Sequence, residues 1–414
     1  MKTSTPQLLK PAERLSEGSL ARCEAPYVDW LTERGYTDGT IRNYTRCLAH
    51  FTSWAADRNL AAENTPASLI RRFVKEHLAH CECPFPVHRK RSEVRAALSH
   101  LLPALDAAGI TYTVDEPSAI DEELNLFDAY LRDQRGLRPT TRMQRRRILG
   151  GLLALSPSVT GRPAWKDATR LRRYLAMSFE RMTPGSSAVL AGAVRSYLRY
   201  RASIGDDVAA LLPVIASPAQ WRLGSLPATL SKDEVERVLA SFDSTLPSWR
   251  RGRAVAHCVA RLGLRSAEVV GLDLEDLDWD AGTIRLRACK SRRVDVMPLP
   301  LSVGQTIVEY LRHERPVCNS RRVFVRHVAP TERPLLPSLV KRVLTDAYAR
   351  CDLPYTRVHI LRHSLAARVL DEGGTLKEVA DILRHRALET TQIYAKVDLH
   401  RLAAVAMPWP GSGT

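Results

Sequence analysis

Between two long stretches of helical periodicity the chain runs SIGDDVAALLPVIASPAQWRLGSLPATLS (203–231), dense in Pro, Gly and Ser. Such a stretch interrupts the helical pattern and marks the boundary between two bodies. The main linker falls at 214–230. Directly after it, Ser231 and Glu234 are spaced as a capping box, and Val235, Val238 and Leu239 follow at helical intervals. A new domain therefore begins there. A second, weaker break is read at GITYTVDEPSAI (109–120), as a β-rich, Pro-containing segment between two arginine-rich helical blocks. With 414 residues the chain is too long for one core, and two to four domains are expected.

The blocks on either side of the second break echo each other. Tyr27, Leu31, Arg34-Gly35 and Thr40 are matched about 100 residues later by Phe127, Leu131, Arg135-Gly136 and Thr141. Each reads as an aromatic-faced helix, a Gly at its end and a second helix, although two unrelated amphipathic helices joined by Gly would match as well. Residues 22–220 read as nearly all helix. The last part mixes helix with a little sheet. Thr283–Arg287 and 294–299 alternate apolar and polar, enclosing the basic turn Lys290-Ser-Arg-Arg293, which predicts a hairpin. Thr375 and Glu378 form another capping box. The fold class expected is mainly α with a small antiparallel β-sheet in the C-terminal domain, divided as 1–118, 119–222, 226–400 and a tail at 401–414.

Charge narrows the function. The chain has 61 Lys and Arg against 45 Asp and Glu, a formal +16. Much of the excess is arginine, as in GLRPTTRMQRRRILGG, and the guanidinium fork suits a nucleic-acid backbone. Net charge alone would also fit solvated basic faces. Nowhere do about 18 apolar residues run together, which speaks against a helical membrane span. The first twenty residues lack the apolar stretch of a secretory signal, so the eight cysteines are expected reduced, in the cytoplasm.

Four segments of the last part carry chemistry: Leu262-Gly-Leu-Arg265 with Glu268, the hairpin Lys290, His359-Ile-Leu-Arg362-His363, and Leu383-Arg-His385 with Tyr394 nine residues on. Attack on a phosphodiester needs donors around its equatorial oxygens, an in-line nucleophile and a proton for the leaving oxygen. Two arginines, a lysine, histidines and a tyrosine supply these. No carboxylate cluster or Walker loop lies among them, so the arginines would do the work of a metal ion, and neither cofactor nor ATP is expected. A free tyrosine titrates near pH 10, so Tyr394 needs cations and a base, for which Arg265, Arg362 and His359 are candidates.

These five elements, in this order, resemble the tyrosine recombinase (phage integrase) family, over 226–398 and more loosely in the helical block before it. The resemblance implies a catalytic domain behind a helical, SAM-like core-binding domain that together clamp duplex DNA. It implies Tyr394 as the nucleophile joined to a 3′ phosphate, with Arg265 and Arg362 on the non-bridging oxygens and Lys290 as general acid. It further implies that His359 assists proton transfer at the tyrosine and that His385 hydrogen-bonds the transition state. Glu268 and His363 would be supporting residues. One position departs from the family: its L-G-H reads Leu383-Arg384-His385, and without Gly a positive φ is harder to reach, which leaves the local loop geometry open but not the part of His385. Arg142, Arg145, Arg146 and Arg147, with Arg292 and Arg293, are candidate DNA contacts. Positions 142, 145 and 146 share one helix face. The family works as a tetramer on paired sites, here with accessory or sister recombinases as possible partners and a mobile element as the setting. The alternatives are relaxation of the type IB topoisomerase kind, or non-catalytic DNA binding on the same fold.

A separate group, His77, His80, Cys81, Cys83 and His88, lies in EHLAHCECPFPVH. Ligands this close together suit zinc, but CxC is not the usual CxxC knuckle and reduced cysteines are ordinary small hydrophobes. On sequence alone no metal site is assigned.

Overall fold

The computed structural model describes residues 23–58, 66–84, 87–112, 115–155, 163–216, 227–287, 294–331, 333–385 and 390–396. The chain forms two compact units, one of Met1–Thr113 with Ser225–Thr414 and one of Val114–Gly224.

The N-terminal part of the first unit is helical: α1 (Glu24–Glu33), α2 (Asp38–Ala56), α3 (Pro66–Arg72) running into a π-turn at Phe73–His77, α4 (Arg91–Leu98) and α5 (Leu101–Ala107). Its core is made by Tyr27 and Leu31 of α1 and by Leu48, Phe51 and Trp54 of α2, with Phe73, Val94, Leu98 and Leu101. The Tyr27 hydroxyl donates to the carbonyl of Ala97 at 2.9 Å, so even this buried phenol is satisfied. Gly35 takes φ 73° at the end of α1, and the Thr37 side chain then caps α2 by accepting from the Thr40 amide.

The second unit repeats that hairpin with α6 (Ala119–Asp133) and α7 (Pro139–Leu153), followed by α8 (Ala168–Glu180) and α9 (Pro184–Ser203). Phe127 and Leu131 are buried as Tyr27 and Leu31 are, and Gly136 takes φ 56° at the same point of the turn. The expected β-rich break is different. Residues 110–112 and 115–118 carry no strand; Ile110 and Tyr112 pack back onto the helices of the first core, having no partner strand to pair with.

The C-terminal part begins at α10 (Lys232–Ala240), where the Ser231 side chain accepts from the Glu234 amide and Glu234 accepts from the Ser231 amide. Next come α11 (Trp249–Leu262), α12 (Ser266–Gly271), β1 (Leu277–Asp278), β2 (Thr283–Arg287), β3 (Val294–Pro298), α13 (Leu301–His313), α14 (Pro337–Arg350), α15 (His359–Asp371) and α16 (Leu376–Ile382). The sheet is antiparallel in the order β1-β2-β3, with Ile284 opposite Met297. β1 was not anticipated from the sequence, being two residues too short to show a period. Helix α11 is central: Ala254 to Ala260 are all buried, and around it pack Val238, Ile307, Leu344 and Leu361. A smaller cluster of Leu365, Leu370, Val379, Leu383 and Tyr394 seats the last helices. No described helix is long and apolar enough to cross a membrane. Lys290, Arg292, Arg293 and the tail 401–414 lie outside the described residues, as does most of the linker.

Candidate active site

Helix α11 ends at Gly263, which adopts φ 58° and lies so close to Leu365 and Leu383 that a Cβ would stand 2.8 Å from Leu383 Cδ2. Only glycine meets both demands cheaply. The turn it allows delivers Arg265 to the start of α12, half exposed, with its side chain directed by Glu268. The Glu268 carboxylate is a hub. One oxygen accepts from Arg265 Nη1 at 2.7 Å; the other accepts from the Arg265 amide at 2.8 Å and from Arg384 Nη2 at 2.9 Å. Burial would raise this carboxyl's pKa, but Arg384 and Arg265 outweigh it and hold it low.

Arg384 stands where the family's motif has glycine. It takes φ 53°, a left-handed conformation, so the loop keeps the geometry that a glycine would give. The backbone after α16 closes as a Schellman turn, with the His385 amide donating to Ala380 O and the Arg384 amide to Asp381 O. A non-glycine residue here costs roughly 1–2 kcal/mol. The side chain offsets it: besides Glu268, its guanidinium reaches Ile382 O at 2.9 Å and Met297 Sδ at 2.8 Å, and it is 7% exposed. It thereby ties the end of α16 to β3 and to the start of α12. The only sequence signal was the departure itself, a long cation where the family has none.

On α15, Arg362 is buried and donates to the carbonyls of Gly263 and Leu383. Burial, with Arg265 and Arg384 as neighbours, lowers its pKa to about 9, so it remains charged at neutral pH but under strain from its own kind. One turn of helix sets His359 and His363 on the same face, ring centres 6.3 Å apart. Of these it is His363, not His359, that meets the tyrosine, its Nδ1 lying 2.7 Å from Tyr394 Oη. Burial and the nearby His359 and Arg362 push the His363 pKa down to about 4, so its imidazole is neutral and able to accept a proton. His359 is lowered by burial, Arg362 and Arg265, which sets it beside the two arginines.

Tyr394 stands on the short 3₁₀ turn Gln392–Lys396, 1% exposed, with the His385 ring parallel to it at 6.4 Å. His385 Nδ1 lies 2.7 Å from Thr391 Oγ1, which leaves Nε2 as its other donor or acceptor. Burial pushes the Tyr394 hydroxyl up to about 12 against the pull of Arg362 and Arg265. Three guanidiniums against one carboxylate leave the cluster with a formal excess of two positive charges.

The arginine row of α7 is only partly as anticipated. Arg142 pairs with Asp128 at 3.3 Å and Arg145 donates to Ser196 Oγ at 2.7 Å, so the face shared by 142, 145 and 146 is turned toward its own unit. Arg147 is exposed. Burial and the neighbouring Arg135 and Arg199 lower the Arg145 pKa.

The phage integrase family model matches residues 228–401. The integrase/recombinase y4rA of Sinorhizobium fredii is 34% identical over 410 residues, 96% of each chain. The tyrosine recombinase XerC of Salmonella typhi is 30% identical over 301 residues, covering 69% of this chain and 95% of that protein. Among solved structures, the XerH site-specific recombinase bound to palindromic difH substrate in a post-cleavage complex matches with a TM-score of 0.51 at 17% identity, covering 99% of this chain and all of that one. The Tn1549 transposon integrase in complex with a circular intermediate DNA matches with a TM-score of 0.50 at 15% identity, covering 67% of this chain and 99% of that one.

Proposed function

Because the chain belongs to the phage integrase family of tyrosine recombinases, we propose that it exchanges DNA strands at specific sites through a covalent 3′-phosphotyrosyl intermediate on Tyr394. The observation that carries this reading is the meeting of Tyr394, a neutral His363 and a cluster of arginines with two charges in excess. Such a cluster lacks an anion, and a phosphodiester supplies one.

The step runs as follows. The Tyr394 hydroxyl gives its proton to His363 Nδ1, and the phenolate oxygen attacks phosphorus as the bond to the 5′ oxygen breaks. Arg265 and Arg362 hold the non-bridging oxygens, while His359 and His385 donate to them. Lys290 protonates the departing 5′ oxygen. In the second half a 5′ hydroxyl from the partner strand attacks the phosphotyrosine and frees Tyr394. His363 replaces His359 as proton acceptor in this scheme because it is the imidazole within hydrogen-bond reach. Glu268 and Arg384 are positioning residues for Arg265. The metal-like part is played by guanidiniums whose charge is already in place, so the step uses no metal and no ATP.

The DNA held is duplex, and the candidate phosphate contacts of the second unit are Arg146 and Arg147, since Arg142 and Arg145 are engaged by Asp128 and Ser196. The working form is a homotetramer on paired sites, in the cytoplasm, serving a mobile element with sister recombinases as candidate partners. A duplex carrying a nick just past the cleavage point tests the scheme, since the short 5′ fragment leaves and traps the adduct. Adduct on the cognate site and not on random sequence supports site-specific exchange. Equal trapping on both would turn the reading toward topoisomerase-like relaxation, and no adduct at all toward DNA binding alone.

A further inference from the structure

Away from the active site, four soft or imidazole ligands converge in the N-terminal helices. His50 comes from α2, His77 from the π-turn after α3, and Cys81 and Cys83 from the irregular segment that follows. One ligand atom of each lies within 4.8 Å of every other. We propose that these residues bind one zinc ion in a closed, tetrahedral, structural site.

The geometry is the argument. Zinc bonds of about 2.0–2.1 Å to nitrogen and about 2.3 Å to sulfur, at tetrahedral angles, separate two nitrogens by about 3.3 Å and nitrogen from sulfur by about 3.6 Å. Here His50 Nε2 and His77 Nε2 are 3.2 Å apart, His50 Nε2 and Cys81 Sγ 3.4 Å, and His77 Nε2 and Cys83 Sγ 3.5 Å. Three of the six edges of the tetrahedron that the ion requires are thus already near their bonded lengths, and the remaining donor pairs lie within 4.8 Å. His50 Nδ1 donates to the carbonyl of His88 at 3.2 Å, which selects the tautomer that leaves Nε2 bare for a metal.

The local structure explains how a CxC pair serves. Residues two apart in a non-helical segment reach the same side, so Cys81 and Cys83 face the imidazole pair together. The π-turn, closed by the Leu78 amide donating to Phe73 O at 3.0 Å, widens the helix end and aims His77 at His50. Phe73 and Trp54 wall the site, their ring centres 5.0 and 5.6 Å from that of His77. His80 is exposed and takes no part, and His88 contributes its carbonyl while its ring sits 3.5 Å from Glu93. His50, which no motif around 77–88 could have named, completes the set in their place. With all four positions filled by protein there is no open coordination site, so the ion would staple a small helical core and catalyse nothing. Binding converts two thiols to thiolates and releases their protons.

Full-length protein, purified without a metal column and stripped with chelator under reducing conditions, is titrated with cobalt(II). The proposal expects stoichiometric uptake with the intense visible bands of tetrahedral cobalt and a thiolate charge-transfer band, displaced by zinc. The Cys81→Ser, Cys83→Ser double variant should lose both. Because that variant could unfold, the native protein supplies a second reading: zinc should block alkylation of Cys81 and Cys83 at least tenfold while leaving Cys318 unaffected. Absence of the cobalt spectrum in reduced native protein, or alkylation of the two thiols indifferent to zinc, overturns the site.

Discussion

The cluster around Tyr394 and the cluster around His50 each draw polar side chains to one point, yet they lack opposite things. Around Tyr394, three guanidiniums face one carboxylate, and the crowding lowers Arg362 while Glu268 is held ionised between Arg265 and Arg384. Around His50, two imidazoles and two cysteine sulfurs bring their lone pairs within 3.2 to 3.5 Å of one another. The first arrangement is relieved by an anion, the second by a cation. Local charge balance thus distinguishes a phosphate site from a metal site even where both are rich in histidine.

The comparison can be broken most severely at the nucleophile. Tyr394→Phe should reduce covalent adduct on a nicked duplex to background while DNA retention in a native gel is unchanged; adduct that persists would remove Tyr394 from the scheme. Next is Arg384→Ala. Its partner Glu268 is 9% exposed, and breaking a buried pair costs about 3–5 kcal/mol, to be read as a shift in denaturant midpoint. Arg384→Gly should recover about 1 kcal/mol of that, because glycine takes the positive φ freely, and equal stability of the two variants would contradict the backbone argument. Arg265→Ala removes a half-exposed clamp and should slow cleavage by about 10²–10³-fold, with the melting temperature little changed.

The remaining expected effect is one of acidity. His257, His327, His363 and His385 are each lowered from 6.5 to about 4, chiefly by burial. The unfolded chain therefore binds protons that the folded one refuses. Stability from these groups is fully present above about pH 6.5 and is lost as the pH falls toward 4. Unfolding titrations across that window should show a decline, and a flat profile would count against neutral burial of these rings.

Much of the active site was legible because its residues sit in short, ordered motifs. Arg265 and Glu268 are one helical turn apart, His359 and Arg362 share the first turn of α15, and Tyr394 follows His385 by nine residues. What escaped were contacts that depend on which ring a helix turns inward, as in the choice of His363 over His359, and on a residue whose importance lies in a partner 116 positions away, as with Arg384 and Glu268. The helical hairpins with Gly35 and Gly136 were readable from period and punctuation, whereas the described residues of the β-rich stretch 109–120 carry no strand.

By itself the sequence determined the candidate reacting groups, the helix starts marked by capping boxes, and the alternation of β2, because propensity, capping and pattern act over a few residues. Tertiary structure alone decided that His50 rather than His80 would meet His77, Cys81 and Cys83, that the arginines of α7 are partly spent on Asp128 and Ser196, and that Arg384 would accept a left-handed backbone. The physical reason is common to all three. Desolvation makes each buried polar atom find a partner, and the partner available is set by packing rather than by proximity along the chain.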